Sequence, residues 1–133
     1  MKKLSFLILS IFLPLFIYSQ ENIININTKN IEVPETYNFG DISDYAYTQF
    51  ILKNNRNAAV VVSKIETPPG FFASVSNSTI NSNKRTVLTV GLKASETGLA
   101  DEFEEDIIIK TNLVTDIIVK VKGKIIKDLE NKE

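Results

Sequence analysis

Residues 85–126 read RTVLTVGLKASETGLADEFEEDIIIKTNLVTDIIVKVKGKII. Their apolar residues fall on alternate positions: Leu88, Val90 and Leu92, then Phe103, Ile107 and Ile109, then Ile117, Val119, Val121 and Ile125. Successive side chains of a strand point to opposite faces, so a period of two buries one face of each segment. A helix would need apolar residues three and four apart. The pattern predicts strands over residues 85–93, 102–111 and 116–126, with Gly98 in the first connection and Asn112 in the second.

The same rhythm extends towards the N-terminus and predicts strands over residues 31–39, 46–53, 58–66 and 71–75. Pro34 marks an edge or a bend in the first of these. Asn54-Asn55-Arg56-Asn57 is a turn, because Asn tolerates left-handed backbone angles. Pro68-Pro69-Gly70 ends the next strand, since neither proline can donate to a ladder. Residues 77–84 are polar and read as a loop. Residues 20–30, where Ile24 and Ile26 alternate with Asn, read as a leader that could add a weak edge strand. About seven short antiparallel strands, with turns every eight to twelve residues or so, imply an all-β fold, an immunoglobulin-like β-sandwich over residues 31–126. Two sheets are needed because one alone would leave an apolar face in water. Residues 127–133 are a charged tail.

The chain opens with Lys2 and Lys3, followed by an apolar stretch from Leu4 to Tyr18 and a polar turn at Ser19-Gln20-Glu21. A charged start, a short apolar run and a small exit residue form the pattern of a signal peptide, here residues 1–19. The rival is a retained anchor. About 15 helical residues span roughly 22 Å, short of a hydrocarbon core about 30 Å thick, and Pro14 interrupts the run. The expected location is therefore the periplasm, the cell surface or the medium, with membrane contact only through an uncleaved signal.

The chain has no histidine and no cysteine. That removes Ser–His and Cys–His catalysis, disulfides and thiolate metal sites. No cofactor or metal is expected, and the protein reads as not an enzyme. A net charge of −1 without any dense basic run argues against nucleic acid. The acidic run Asp101-Glu102-Phe103-Glu104-Glu105-Asp106 has two readings. One is a calcium site, which takes several oxygen ligands. The other is a solvated strand start with Phe103 turned inward. A carboxylate hydrolase pairing this run with Asp41 or Asp44 would need a separation that nothing in the sequence fixes. Tyr37, Tyr45 and Tyr47 cluster near the first two strands, and packing at a sandwich corner is the reading adopted for them.

The run from Ile31 to Ile126 resembles the bacterial immunoglobulin-like domain-of-unknown-function family 1573, a relative of Hydin-type domains. The matching pieces are Asn38-Phe39-Gly40, Phe50 to Asn54, and Val60-x-Val62-x-x-Ile65. They continue with Leu88-x-Val90-x-Leu92, Gly98 before a strand ending Thr111-Asn112, and Val121-x-Gly123-x-Ile125. The resemblance implies the fold and the envelope compartment, and brings no settled activity. A Cys-Gly-Cys segment common in that family is replaced here by Thr67-Pro68-Pro69-Gly70.

Three strands carry an extra apolar residue out of phase: Val61, Ile108 and Ile118. In an immunoglobulin-like order their strands share one sheet. The expected partner-binding surface is therefore a small apolar patch made by these three on the outer face. The function expected is an exported, non-enzymatic envelope module, structural or protein-binding, which binds a protein partner and allows weak self-association. The alternative is a periplasmic chaperone or carrier offering a sheet edge to an extended peptide.

Overall fold

The computed structural model describes residues 22–126. The expected signal peptide (1–19) and the charged tail (127–133) lie outside the described residues. In chain order the strands are β1 (Asn22–Ile26), β2 (Ile31–Glu32), β3 (Tyr37–Ile42), β4 (Tyr45–Asn54), β5 (Val60–Glu66), β6 (Phe71–Val75), β7 (Thr79–Ile80), β8 (Arg85–Lys93), β9 (Asp101–Thr111) and β10 (Ile117–Ile125). One helical turn, Ala94–Thr97, links β8 to β9. Two five-stranded sheets result, ordered β2-β1-β4-β8-β6 and β3-β10-β9-β5-β7. Among the described residues no helix is long and apolar enough to cross a membrane.

The alternating residues do what their phase demands. Phe50, Leu52, Leu88, Val90 and Leu92 turn inward from the first sheet, and Val60, Ile107, Ile109, Ile117, Val119 and Val121 from the second; all are buried. Phe71 and Phe103 join the sheets with an edge-to-face contact at 5.7 Å between centroids. The result is an all-β sandwich with one core shared by both sheets. Burial of a large apolar side chain contributes roughly 1.5–3 kcal/mol, so these layers hold the fold without disulfides.

The strand count and pairing depart from about seven antiparallel strands. Among the described residues there are ten, and two pairs are parallel: β1 with β4 and β3 with β10. Residues 22–26, expected as leader, are an inner strand between β2 and β4, with Ile24 and Ile26 fully buried. The asparagines beside them belong to a side-chain network in which Asn55 Nδ2 donates to Asn25 Oδ1 at 3.1 Å and to Asn27 Oδ1 at 2.9 Å. The strand expected over residues 31–39 is divided. Its first residues, as β2, stay in the first sheet, and its last, in β3, join the second. Pro34 lies between them, where the chain crosses from sheet to sheet. The loop over residues 77–84 contains β7, which buries Ile80 opposite Val60.

Asn54 organises the β4–β5 turn from a fully buried position. Its Nδ2 donates to the carbonyls of Ala58 (2.9 Å) and Ile80 (2.8 Å), and its Oδ1 accepts from the Arg56 N–H (2.9 Å). At the opposite end Gly70 has φ +79°, and a Cβ there would lie 2.5 Å from the backbone of Glu96 and Thr97. The β5–β6 connection therefore packs directly on the helical turn through a contact that only glycine permits.

Candidate binding face

On the outer face of the first sheet, β4 alternates so that Phe50 and Leu52 enter the core while Tyr45, Tyr47 and Gln49 point away from it. The register sets Tyr47 opposite Gly91 on β8, and Gly91 opposite Phe72 on β6. A Cβ on Gly91 would collide with the Phe72 ring and come within 2.7 Å of the Ala46 carbonyl oxygen. The Phe72 ring therefore lies over the glycine. Tyr45, Tyr47 and Phe72 are nonetheless 60 %, 68 % and 44 % exposed.

Polar groups frame these rings. Lys93 stands opposite Tyr45, with its ammonium 5.5 Å from the ring centroid and 3.5 Å from the Glu96 carboxylate. The Tyr45 phenol first, and the Glu96 carboxylate after it, hold the Lys93 ammonium above the usual lysine range. Gln49 Nε2 donates to Thr89 Oγ1 at 3.4 Å. Exposed rigid aromatics with polar neighbours make a contact surface that loses little conformational entropy on binding. Of the three tyrosines expected to pack, Tyr37 does, edge-to-face with Phe39 (5.1 Å) and Phe50 (6.0 Å). Tyr45 and Tyr47 do not. Their signal was present in the sequence, since both share the odd phase opposite to Phe50 and Leu52.

The outer face of the second sheet is different. Strands β5, β9 and β10 do lie side by side. Ile118 is directly opposite Ile108, and Ile108 is also opposite Glu66. Val61 is not with them. It pairs with Thr79 and donates its N–H to Asn112 Oδ1, nearer the end of the sheet. Lys110–Asp116 (3.0 Å), Lys120–Asp106 (3.0 Å) and Lys64–Glu66 (3.6 Å) occupy the same part of the molecule. The three residues expected to make one patch thus form a half-covered isoleucine pair and a separate valine. The register sets Val62 opposite Thr111 and Glu66 opposite Ile108, so Val61 lies beyond the far end of β9 from the isoleucine pair.

The acidic run resolves into a ladder. Glu102, Glu104 and Asp106 on β9 stand opposite Lys124, Lys122 and Lys120 on β10, while Phe103 turns into the core. Opposite charges facing across strands stabilise a solvated sheet surface. Of these, Glu102, Glu104, Lys122 and Lys124 line a shallow groove of about 570 Å³ together with Asn38 and Asp41. The carboxylates meet lysines there, and among the described residues no group of three or more Asp or Glu is gathered to hold a metal ion.

No family model matches the chain, and no curated protein matches it. Among solved structures it is similar to a protein of unknown function from Porphyromonas gingivalis W83, with a TM-score of 0.61 and 15 % identity. That similarity covers 80 % of this chain and 48 % of the other, so the chain spans about half of that protein's length. The secreted serine protease VesC from Vibrio cholerae matches with a TM-score of 0.49 and 10 % identity, over 66 % of this chain and 21 % of VesC. The Porphyromonas likeness shows the fold alone.

Proposed function

We propose that this chain is an exported, non-catalytic immunoglobulin-like module of the bacterial cell envelope that binds a protein partner on the outer face of its first sheet. The observation that carries this reading is the exposure of Tyr45, Tyr47 and Phe72 around Gly91. Aromatic residues are enriched at the centres of protein interfaces, and among the described residues Tyr47 packs on no other ring and Tyr45 meets only the Lys93 ammonium. The charged opening and apolar run of residues 1–19 support export, as does the resemblance to family 1573. The lack of histidine and cysteine supports a role without catalysis.

Chaperoning by strand addition has less support. It needs a long free edge, whereas the outer strands β2 and β7 have two residues each, β6 has five and β3 has six. The start of β6 is blunted as well, because Thr67 Oγ1 donates to the Phe71 carbonyl at 3.2 Å.

A photo-crosslinking amino acid at position 47, introduced in the bacterium that makes the protein, tests the proposal. One or two discrete crosslinked proteins are expected, lost when Phe72→Ala is added. The same probe at position 120, on the charged ladder, is expected to give none. Equal crosslinking from both positions, or a smear of many clients from position 47, would refute the reading.

A further inference from the structure

The two ends of the sandwich carry opposite charge. At one end the β1–β2, β4–β5 and β7–β8 connections converge, bringing Lys29, Arg56 and Lys84. The ends of β4 and β8 add Lys53 and Arg85, which the register sets directly opposite each other. Like charges facing across strands repel, and no ion pair at this end involves any of the five cations among the described residues. Asp116, in the β9–β10 connection, is held by Lys110 at 3.0 Å, and Glu32, which follows the β1–β2 loop, is set apart from Lys53 by Asn25. Lys29 and Arg56 flank a cleft of about 280 Å³, with Leu113 and the fully exposed Val114 on its other side.

The other end is acidic. The β3–β4 and β8–β9 connections are tied together by the Ala94 N–H donating to the Asp44 carbonyl at 2.7 Å. They and the adjoining strand ends present Asp41, Asp44, Glu96, Asp101 and Glu102, all exposed. Among the described residues only Lys93 and Lys124 stand with them, and Lys93 is engaged by Glu96.

We propose that copies of this chain associate head to tail, the cationic end of one receiving the acidic end of the next. The contact joins two different surfaces at opposite ends of the sandwich, so each copy leaves one end free for the next and a run of modules builds up. It leaves the aromatic face free along the side of the run, and it does not depend on what that face binds. The occupant follows from charge complementarity: the surface that fits five uncompensated cations is present on the same molecule. An end-to-end contact of this kind is small and polar, and a Debye length of about 10 Å at 0.1 M salt makes it sensitive to ionic strength.

Sedimentation velocity on the protein purified from the envelope tests this, with far-UV circular dichroism to confirm folding. Wild-type protein is expected to associate with increasing concentration at about 20 mM salt, with an association constant falling at least about tenfold by 0.5 M. Lys53→Glu with Arg85→Glu cuts the cationic end from five positive charges to a net of one, and Asp44→Lys with Glu96→Lys turns the acidic end weakly basic, each leaving the opposite end intact. Each double variant alone is expected to be monomeric, and an equal mixture to associate again. Lys29→Glu with Lys84→Glu replaces the first variant if that one misfolds. A wild type that stays monomeric at low salt overturns the proposal, as does a mixture that fails to recover association. Binding of a soluble polyanion by a monomeric wild type would assign the cationic end to that ligand instead, and would equally overturn it.

Discussion

Replacing Asn54 with alanine removes three hydrogen bonds from a fully buried side chain without touching any apolar contact of comparable size. Each such bond contributes about 0.5–1.5 kcal/mol net, and a buried group left unsatisfied costs about 1–3 kcal/mol. Ala58 is exposed, so water can replace the lost donor at its carbonyl. The Ile80 carbonyl, bonded at a buried position, has no such substitute. The expected loss is therefore about 2–4 kcal/mol, a large share of the 5–15 kcal/mol typical of a small domain. Asn54→Asp keeps the shape but turns an oxygen towards two carbonyl oxygens that now lie 2.8 and 2.9 Å from the amide nitrogen. It should cost more than alanine at pH 7. Urea unfolding followed by far-UV circular dichroism suits a chain without tryptophan, and the midpoint should fall while the slope stays constant. A loss below about 0.5 kcal/mol for Asn54→Ala, or an aspartate variant no worse than alanine, would refute the account of this turn.

Further outcomes follow from the same geometry. Gly70→Ala, with φ +79° and backbone atoms 2.5 Å from the new Cβ, should cost more than about 3 kcal/mol; Gly98→Ala, with φ +69° and nothing within 4 Å, should cost about 1 kcal/mol in the same urea titration. Tyr47→Ser should leave stability within about 0.5 kcal/mol while abolishing partner crosslinking from a probe moved to position 45, whereas Phe71→Ala, in the core, should lose about 3–5 kcal/mol. The ammonium groups of Lys93 and Lys110 are held above the ordinary lysine value, Lys93 chiefly by Tyr45 and Lys110 chiefly by Asp116 and then Glu66. A pKa raised on folding contributes stability that is whole below the ordinary value of 10.5 and disappears as pH rises through the folded value. An NMR titration of the lysine side chains should show Asp116→Asn returning Lys110 towards its ordinary range without moving Lys93.

The phase of each strand was legible because burial of one face leaves a period of two in the residues themselves. Leu88, Ile107 and Val119 could be assigned to the core from their own neighbours. What a strand pairs with was less legible, because partnership is a property of distant segments. The parallel pairing of β1 with β4 joins residues on either side of two intervening strands. The asparagines of β1 look like loop until Asn55 is seen to satisfy them. Strands β2 and β7 have two residues each, too few to show any period. The expected patch of Val61, Ile108 and Ile118 failed for a related reason: phase gave each residue its face, but the register of β5 on β9, which sets Glu66 and not Val61 opposite Ile108, decided how far apart they sit.

The contrast between the two outer faces follows from what stands opposite each outward residue. On the second sheet, Lys120, Lys122 and Lys124 each oppose an acid, and the face is soluble by local pairing alone. On the first sheet Tyr47 opposes a glycine, which can neither shield its ring nor bond its hydroxyl. Gly91 cannot be exchanged for a shielding residue, because Phe72 and the Ala46 carbonyl already occupy the space of its Cβ. Among the described residues the sheet thus leaves Tyr47 uncovered and gives Tyr45 only the Lys93 ammonium. Exposed aromatics add little to folding stability and raise the risk of aggregation, which is the physical ground on which the proposed function places a partner on this face.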